Sequence, residues 1–170
     1  EQKGTGHAVE QAKDFFQTAE QVLVLYGDVP MITSETLKAL IASGDNTSLK
    51  VLTTELDDPT GYGRIVRDFD GNMLCITEEK DADDETKQIN EVNTGIMCIP
   101  AQRLNQARAN IDNNNAQGEY YLTDRIAQAV EQGLENNSGI CDDEMEVAGV
   151  NNRVQLAELE SYYQQKQATD

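Results

Sequence analysis

The chain has 170 residues, enough for one ordinary domain with a real core, and carries 31 acidic against 13 basic side chains, a net charge of −18. That balance argues against nucleic acid and anionic membrane surfaces as partners, since both need basic patches. An anionic ligand such as a phosphate compound would need a divalent metal or basic residues from elsewhere. No run is long and apolar enough to span a membrane, and no signal peptide is visible. Residue 1 is Glu rather than Met, so the chain reads as a piece of something longer. Cys75, Cys98 and Cys141 are widely spaced and form no CxxC, which suits reduced thiols in a cytoplasmic protein. The single His7 leaves little scope for a histidine zinc site or a Ser-His-Asp triad.

Thr5 opens a predicted helix with Ala8, Ala12, Phe15 and Phe16 on one face. Next comes the apolar run Val22 to Val29, closed by Pro30, predicted as a strand buried on both faces in a parallel sheet. It stops at Gly27 and Asp28, at a sheet edge of the kind where open α/β folds bind ligands. The glycine admits a close ligand, and the carboxylate can hold a hard cation. Thr33 or Ser34 starts a short helix with Leu37, Leu40 and Ile41 inward and Gly44 at its end. Ser48 to Leu56 reads as a further strand, so the first third alternates helix and strand. Gly61 to Val66 and Met73 to Ile76 flank Asp68-Phe69-Asp70-Gly71-Asn72, a hairpin with Asp-Gly turn chemistry. Glu79 to Gln88 is a charged loop or short helix. Val92 to Ile99 is a strand interrupted at Thr94-Gly95, and Pro100 starts a helix with Leu104 and Ala107 inward. Asn113 to Gly118 is a polar loop and Leu122 to Gly133 a helix. A last strand is predicted near Met145 to Val147, and Asn151-Asn152 cap a closing helix with Leu156, Leu159 and Tyr163 on one face.

Each candidate motif has a plain alternative. Gly4-Thr5-Gly6 is an ordinary helix entry, or a set of free N–H groups for a nucleobase or phosphate. Asp58 to Arg64, with two glycines, is a tight turn, or a backbone wall for a flat ring. Glu78 is a solvated strand end, or an acceptor for sugar hydroxyls. Asn93 interrupts an apolar strand, so it is satisfied by backbone or presented to a ligand. Asp68-Phe69-Asp70 has the form of a metal-binding DxD but sits in a turn. Asn46-Thr47-Ser48 and Asn136-Asn137-Ser138 are glycosylation sequons in form only. Tyr120-Tyr121 at a helix start belongs to the core or rim, or edges a sugar pocket.

Taken in order, Gly4-Thr5-Gly6-His7-Ala8, Leu25 to Pro30, Asp57 to Ile65, Glu91 to Ile96, Asn113 to Asp124 and Gly149 to Arg153 form a specific set. The set resembles the uridyltransferase domain of the bacterial bifunctional N-acetylglucosamine-1-phosphate uridyltransferase/glucosamine-1-phosphate acetyltransferases, nearly end to end. The resemblance implies an α/β fold, a Rossmann-like, GT-A-like nucleotidyltransferase mixed sheet with flanking helices, with residues 1–170 a partial domain. It implies a reaction of UTP with N-acetylglucosamine 1-phosphate giving UDP-N-acetylglucosamine and pyrophosphate, with Mg2+, for cell-envelope precursors. By the same resemblance Gly4 and Thr5 contact uracil, while Tyr26, Gly27 and Asp28 line the nucleotide and sugar-phosphate cleft. Gly63, Glu78 and Asn93 hold the N-acetyl sugar, and Tyr121, with Glu119 and Thr123, borders the acetamido pocket. Asp28 and Asn151 are the metal ligands, Asp28 acting in catalysis through the metal.

The family domain opens with a strand and a basic Gly-rich loop that have no counterpart in residues 1–170, and its carboxy-terminal β-helix, seat of acetyl transfer and most trimer contacts, is likewise outside them. The expectation is that these residues alone turn over little or no substrate, and that the parent is a homotrimer. The competing readings are a nucleotidyltransferase for another sugar 1-phosphate, a glycosyltransferase using Asp68 and Asp70, and a binding module without chemistry.

Overall fold

The computed structural model describes residues 5–109 and 135–169. Among them one mixed sheet holds β1 (Gln21–Val24), β2 (Leu49–Glu55), β3 (Arg64–Arg67), β4 (Met73–Thr77), β5 (Glu91–Pro100) and β6 (Asn136–Cys141). Four α-helices accompany it among the described residues: α1 (Thr5–Gln11), α2 (Ser34–Ala42), α3 (Ala101–Ala109) and α4 (Arg153–Thr169). The strand order is β4-β3-β5-β2-β6, with β1 paired to β5. Only the β2–β6 pairing is parallel among the described strands. The predicted loop at 113–118 and helix at 122–133 lie outside the described residues.

The long strand β5 organises the sheet. β2 runs along one edge of it, opposite both Val92 and Met97. β3 meets β5 at Val92 and β1 meets it from Met97 to Pro100, so β3 and β1 share the other edge. Side chains alternate between the two faces. One face gathers Leu49, Val51, Ile65, Met97 and Ile99 with Phe16 and Leu104. The other gathers Leu52, Ile96 and Cys141 with Val29 and Leu40.

β2 is the innermost strand, with Leu49 to Thr54 buried in spite of one lysine and two threonines. Each polar group has a partner, as burial requires. Lys50 Nζ donates to the Ile41 carbonyl at 2.6 Å, placing its cation at the carboxyl end of α2, where the helix dipole favours it. Thr53 Oγ1 donates to Glu91 at 2.7 Å and Thr54 Oγ1 to the Cys141 carbonyl at 2.9 Å.

Several expectations need correction. β1 is neither parallel nor buried on both faces: it pairs antiparallel with β5, is half-buried throughout, and ends at Val24, leaving Leu25 exposed. Its apolar residues cover a sheet margin rather than a centre. The last strand is β6 at Asn136–Cys141, whereas Glu144–Glu146 is a 3-10 turn. Asn-Asn-Ser-Gly has little strand propensity, and it extends because the buried β2 offers a parallel edge from Leu49 to Thr54. The apolar face expected for α1 breaks up at the 3-10 turn Lys13–Phe15: Phe16 is buried while Phe15 is 89% exposed. Ile41, Leu156 and Tyr163 also face outward, leaving Leu40 and Leu159 as the buried anchors of α2 and α4.

Locally encoded features form where the sequence places them. β3 and β4 make the hairpin, its turn held by Asp68, whose carboxylate accepts from the Asp70 and Asn72 amides, while Gly71 takes φ +85°. Thr33 caps α2 by accepting from the Thr36 amide. Asn152 caps α4 by accepting from the amides of Val154 and Gln155.

Candidate functional site

Two groups of candidate side chains adjoin Tyr26, one on the sheet and one on loops. The first is built on the sheet. The β2–β5 register shifts between Val51 and Thr53, opening a bulge in β5 around Thr94-Gly95. Gly95 sits at φ +82°, a backbone region that side chains disfavour. The bulge turns Asn93 so that its amide donates to the Gly63 carbonyl at 2.9 Å while its Oδ1 accepts from the Gly95 amide at 2.9 Å. That contact fixes the carboxamide orientation. Its amino end has no hydrogen-bond partner among the described residues.

Gly63 leaves room for Glu78: a Cβ there would lie 3.4 Å from Glu78 Oε1 and 3.1 Å from Ile76 Cγ2. The turn ahead of Gly63 is held by Arg64, whose buried guanidinium donates to the Tyr62 carbonyl and pairs with Glu79 at 2.7 Å. Glu79 in turn accepts from the Gly61 amide at 3.3 Å. Below this wall Arg67 donates twice to Glu91, at 2.6 and 2.7 Å. Burial works to raise the Glu91 pKa, but the bonds from Arg67 and Thr53 outweigh it and hold the carboxyl below its ordinary range.

The second group stands on loops. After β1 the chain turns, the Val29 amide donating to the Tyr26 carbonyl at 3.3 Å, which presents Asp28 to solvent. The Asp28 carbonyl then accepts from the Val150 amide at 2.8 Å. Residues 122 positions apart are thereby joined backbone to backbone, with Asn151 next in line. The Asn151 amide donates to Gln155 Oε1 at 2.8 Å, tying it to the first turn of α4. Neither the Asp28 carboxylate nor the Asn151 carboxamide is engaged in a hydrogen bond with other described residues.

Tyr26 connects the groups. Its ring packs against Gly95, where a Cβ would stand 2.5 Å from Cε2. Burial first, then the negative charges of Asp28 and Glu78, raise its hydroxyl pKa, so the phenol stays a neutral donor.

The nucleotidyl transferase family matches residues 1–145. The chain belongs to the nucleotidyl transferase family. Curated relatives named bifunctional protein GlmU are 57% identical over 163 residues in Pseudomonas fluorescens and 56% identical over 164 residues in Dechloromonas aromatica. Each alignment covers 96% of this chain, which spans 36% of the length of those relatives. A Bacillus anthracis protein described as a glucose-1-phosphate thymidylyltransferase, solved with sucrose, superimposes with a TM-score of 0.69 at 18% identity. It covers 95% of this chain and 61% of its own, a likeness of fold.

In this nucleotidyl transferase the structure gathers Tyr26, Gly27, Asp28 and Asn151 on the loop side, and Gly63, Glu78 and Asn93 on the sheet side. Thr5 is the first residue of α1, whose Val9 packs against the core face holding Met97. Gly4, Glu119, Tyr121 and Thr123 lie outside the described residues. Asp68 and Asp70 remain in the hairpin turn. Sequence reasoning marked Gly95 only as a strand interruption, not as the seat of Tyr26, and passed over Glu79 behind the Gly63 turn and Glu146 beside α2. A glycine within an apolar strand signals a bulge or close approach, so Gly95 was the findable one.

Proposed function

We propose that this chain supplies the sugar and metal side of a uridyltransferase that joins UTP to N-acetylglucosamine 1-phosphate. The products are UDP-N-acetylglucosamine and pyrophosphate, a precursor step for the cell envelope. The observation that carries the reading is the Asp28–Val150 backbone bond at 2.8 Å, which makes neighbours of Asp28 and Asn151. Their relatives' name and the family match support the same direction.

The donor set suits magnesium. It offers one carboxylate and one amide oxygen, both hard, and magnesium prefers one or two protein oxygens completed by substrate phosphates. Bound there, the ion would offset phosphate charge that a chain of net charge −18 otherwise repels.

The protein's own part is positioning. A phosphate oxygen of the sugar 1-phosphate attacks the α-phosphorus of UTP, and the bond from that phosphorus to the β-phosphate bridge breaks as pyrophosphate leaves. Glu78 accepts from sugar hydroxyls, the Asn93 amino group donates, and the Gly63 turn lets the ring approach backbone. Tyr26 donates its hydroxyl across the cleft. Uracil contact by Gly4 and Thr5, an acetamido border at Tyr121, a cytoplasmic setting and a homotrimeric parent belong to the same proposal.

The test is a pyrophosphate-release assay on the full-length protein with a panel of sugar 1-phosphates and nucleoside triphosphates. UTP with N-acetylglucosamine 1-phosphate is expected to be preferred, and Asn93→Ala to lower kcat/KM for that sugar about tenfold or more. A preference for a sugar lacking the acetamido group, unchanged by Asn93→Ala, would contradict the reading.

A further inference from the structure

We infer that Glu146 is a positioning residue, a clamp that holds the Asp28 and Asn151 loops in register from outside the cleft. The inference rests on the proposed metal role of that pair, and extends it to a side chain that touches no substrate.

The two loops meet twice. One crossing is the Asp28–Val150 backbone bond. The other is Glu146, whose Oε1 accepts from the Thr33 amide at 2.8 Å and from Thr36 Oγ1 at 2.7 Å. Thr33 follows Asp28 by five residues and Val150 follows Glu146 by four, so the crossings close a small ring of backbone. A single hydrogen bond is a pivot, and two set both distance and angle. Asn151 hangs from one corner of that ring and Asp28 forms another.

Glu146 fits this task closely. Its side chain completes the amino-terminal cap of α2. In a capping box the residue three places after the cap reaches back to the cap's own amide. Here that residue is Thr36, too short to do so, and Glu146 supplies the acceptor from 113 positions away, with the Thr36 hydroxyl bonded to the same oxygen. The charge lies at the positive end of a nine-residue helix. Glu146 is 7% exposed, and its second oxygen lies 3.5 Å from Cys141 Sγ. The turn that carries it is held by Asp143, which caps it by accepting from the Met145 amide and takes the Tyr162 hydroxyl and Lys166 of α4. The clamp therefore links the end of β6, the start of α2 and the flank of α4.

The experiment compares Glu146→Ala with Glu146→Gln in the full-length protein. Glutamine keeps the oxygen that accepts both bonds. Hydrogen exchange of the Val150 and Asn93 amides and Mn2+ affinity by electron paramagnetic resonance are read for each. Glu146→Ala is expected to speed Val150 exchange and to weaken Mn2+ binding, each about tenfold, the usual scale for groups that orient a metal ligand. Asn93 exchange stays unchanged, and Glu146→Gln stays within about threefold of the parent on both counts. Equal acceleration at Val150 and Asn93, or unchanged Val150 exchange in Glu146→Ala, overturns the clamp. If the parent has no Mn2+ site that Asp28→Ala removes, the metal reading fails, while the contrast between the two amides still decides the clamp. Should Glu146→Ala not fold, Thr36→Val removes one of the two bonds: faster Val150 exchange supports the clamp, and no change overturns it.

Discussion

The two sides of the cleft are built on different principles. The wall of Gly63, Glu78 and Asn93 belongs to the sheet: a bulge in β5, a hairpin, and the buried Arg64 and half-buried Arg67 paired to Glu79 and Glu91. The rim of Asp28 and Asn151 belongs to loops, joined by one backbone bond and one buried carboxylate. Sheet geometry gives the wall a fixed shape, as the proposed sugar contact needs. The rim leaves the Asp28 and Asn151 side chains without a hydrogen bond to other described residues, which suits the proposed cation. Damage to the wall should therefore register as lost stability and altered sugar preference together, and damage to the rim as lost catalysis in an intact fold.

The largest effect is expected at the rim. Asp28→Ala should lower kcat of the full-length protein on the order of 100-fold or more while leaving the urea midpoint in place, because the side chain is exposed. A shifted midpoint would mean that the rim shares the wall's construction. Next comes Gly95→Ala, which imposes φ +82° on a side chain and drives a methyl into the Tyr26 ring. It should cost about 1–3 kcal/mol in urea unfolding and raise KM for the sugar phosphate. An alanine enzyme of parental stability would show that the bulge is not a constraint.

Acid should affect both regions in the same direction. Glu91 is half-buried and Glu146 buried, which works to raise their pKa, yet bonds from Arg67 and Thr53 in one case and from Thr33 and Thr36 in the other bring both below the ordinary 4.5. The unfolded chain thus takes up protons first as pH falls. The associated stability is complete above 4.5 and lost as pH drops through the lower folded values. Unfolding followed across this range should flatten in Glu91→Gln and in Glu146→Gln. Region-resolved exchange should assign the first change to the Asn93 amide and the second to the Val150 amide. A parental slope in both variants would contradict the assignment. The smallest effect is expected far from either region: Phe15→Ser, at an 89% exposed side chain, should change stability by less than about 0.5 kcal/mol.

What was legible in the sequence is what local chemistry encodes. The Asp68–Asn72 turn, the Thr33 and Asn152 caps and the interruption at Thr94-Gly95 each follow from residues within a few positions. What depended on distant pairing was not legible. Asn136–Cys141 becomes a strand because β2 lies beside it, Lys50 is buried because the Ile41 carbonyl is within reach, and Val22 to Val24 lie at a margin because β5 runs antiparallel to them. The site divides along the same line. Asp28 and Asn93 stood out as polar residues in apolar strands, and Asn151 only through family resemblance. Glu146 gave no signal, since its partners are 110 and 113 positions away.

The most direct test of the account is a double-mutant cycle on Mn2+ affinity in the presence of UDP-N-acetylglucosamine, using the full-length protein with Asp28→Ala, Asn151→Ala and both. If the two side chains hold one ion, each single change weakens binding and the double change is much less than the product of the two, a coupling on the order of 1 kcal/mol or more. Losses that simply multiply, or an Asn151→Ala protein that binds Mn2+ like the parent, would contradict a shared site.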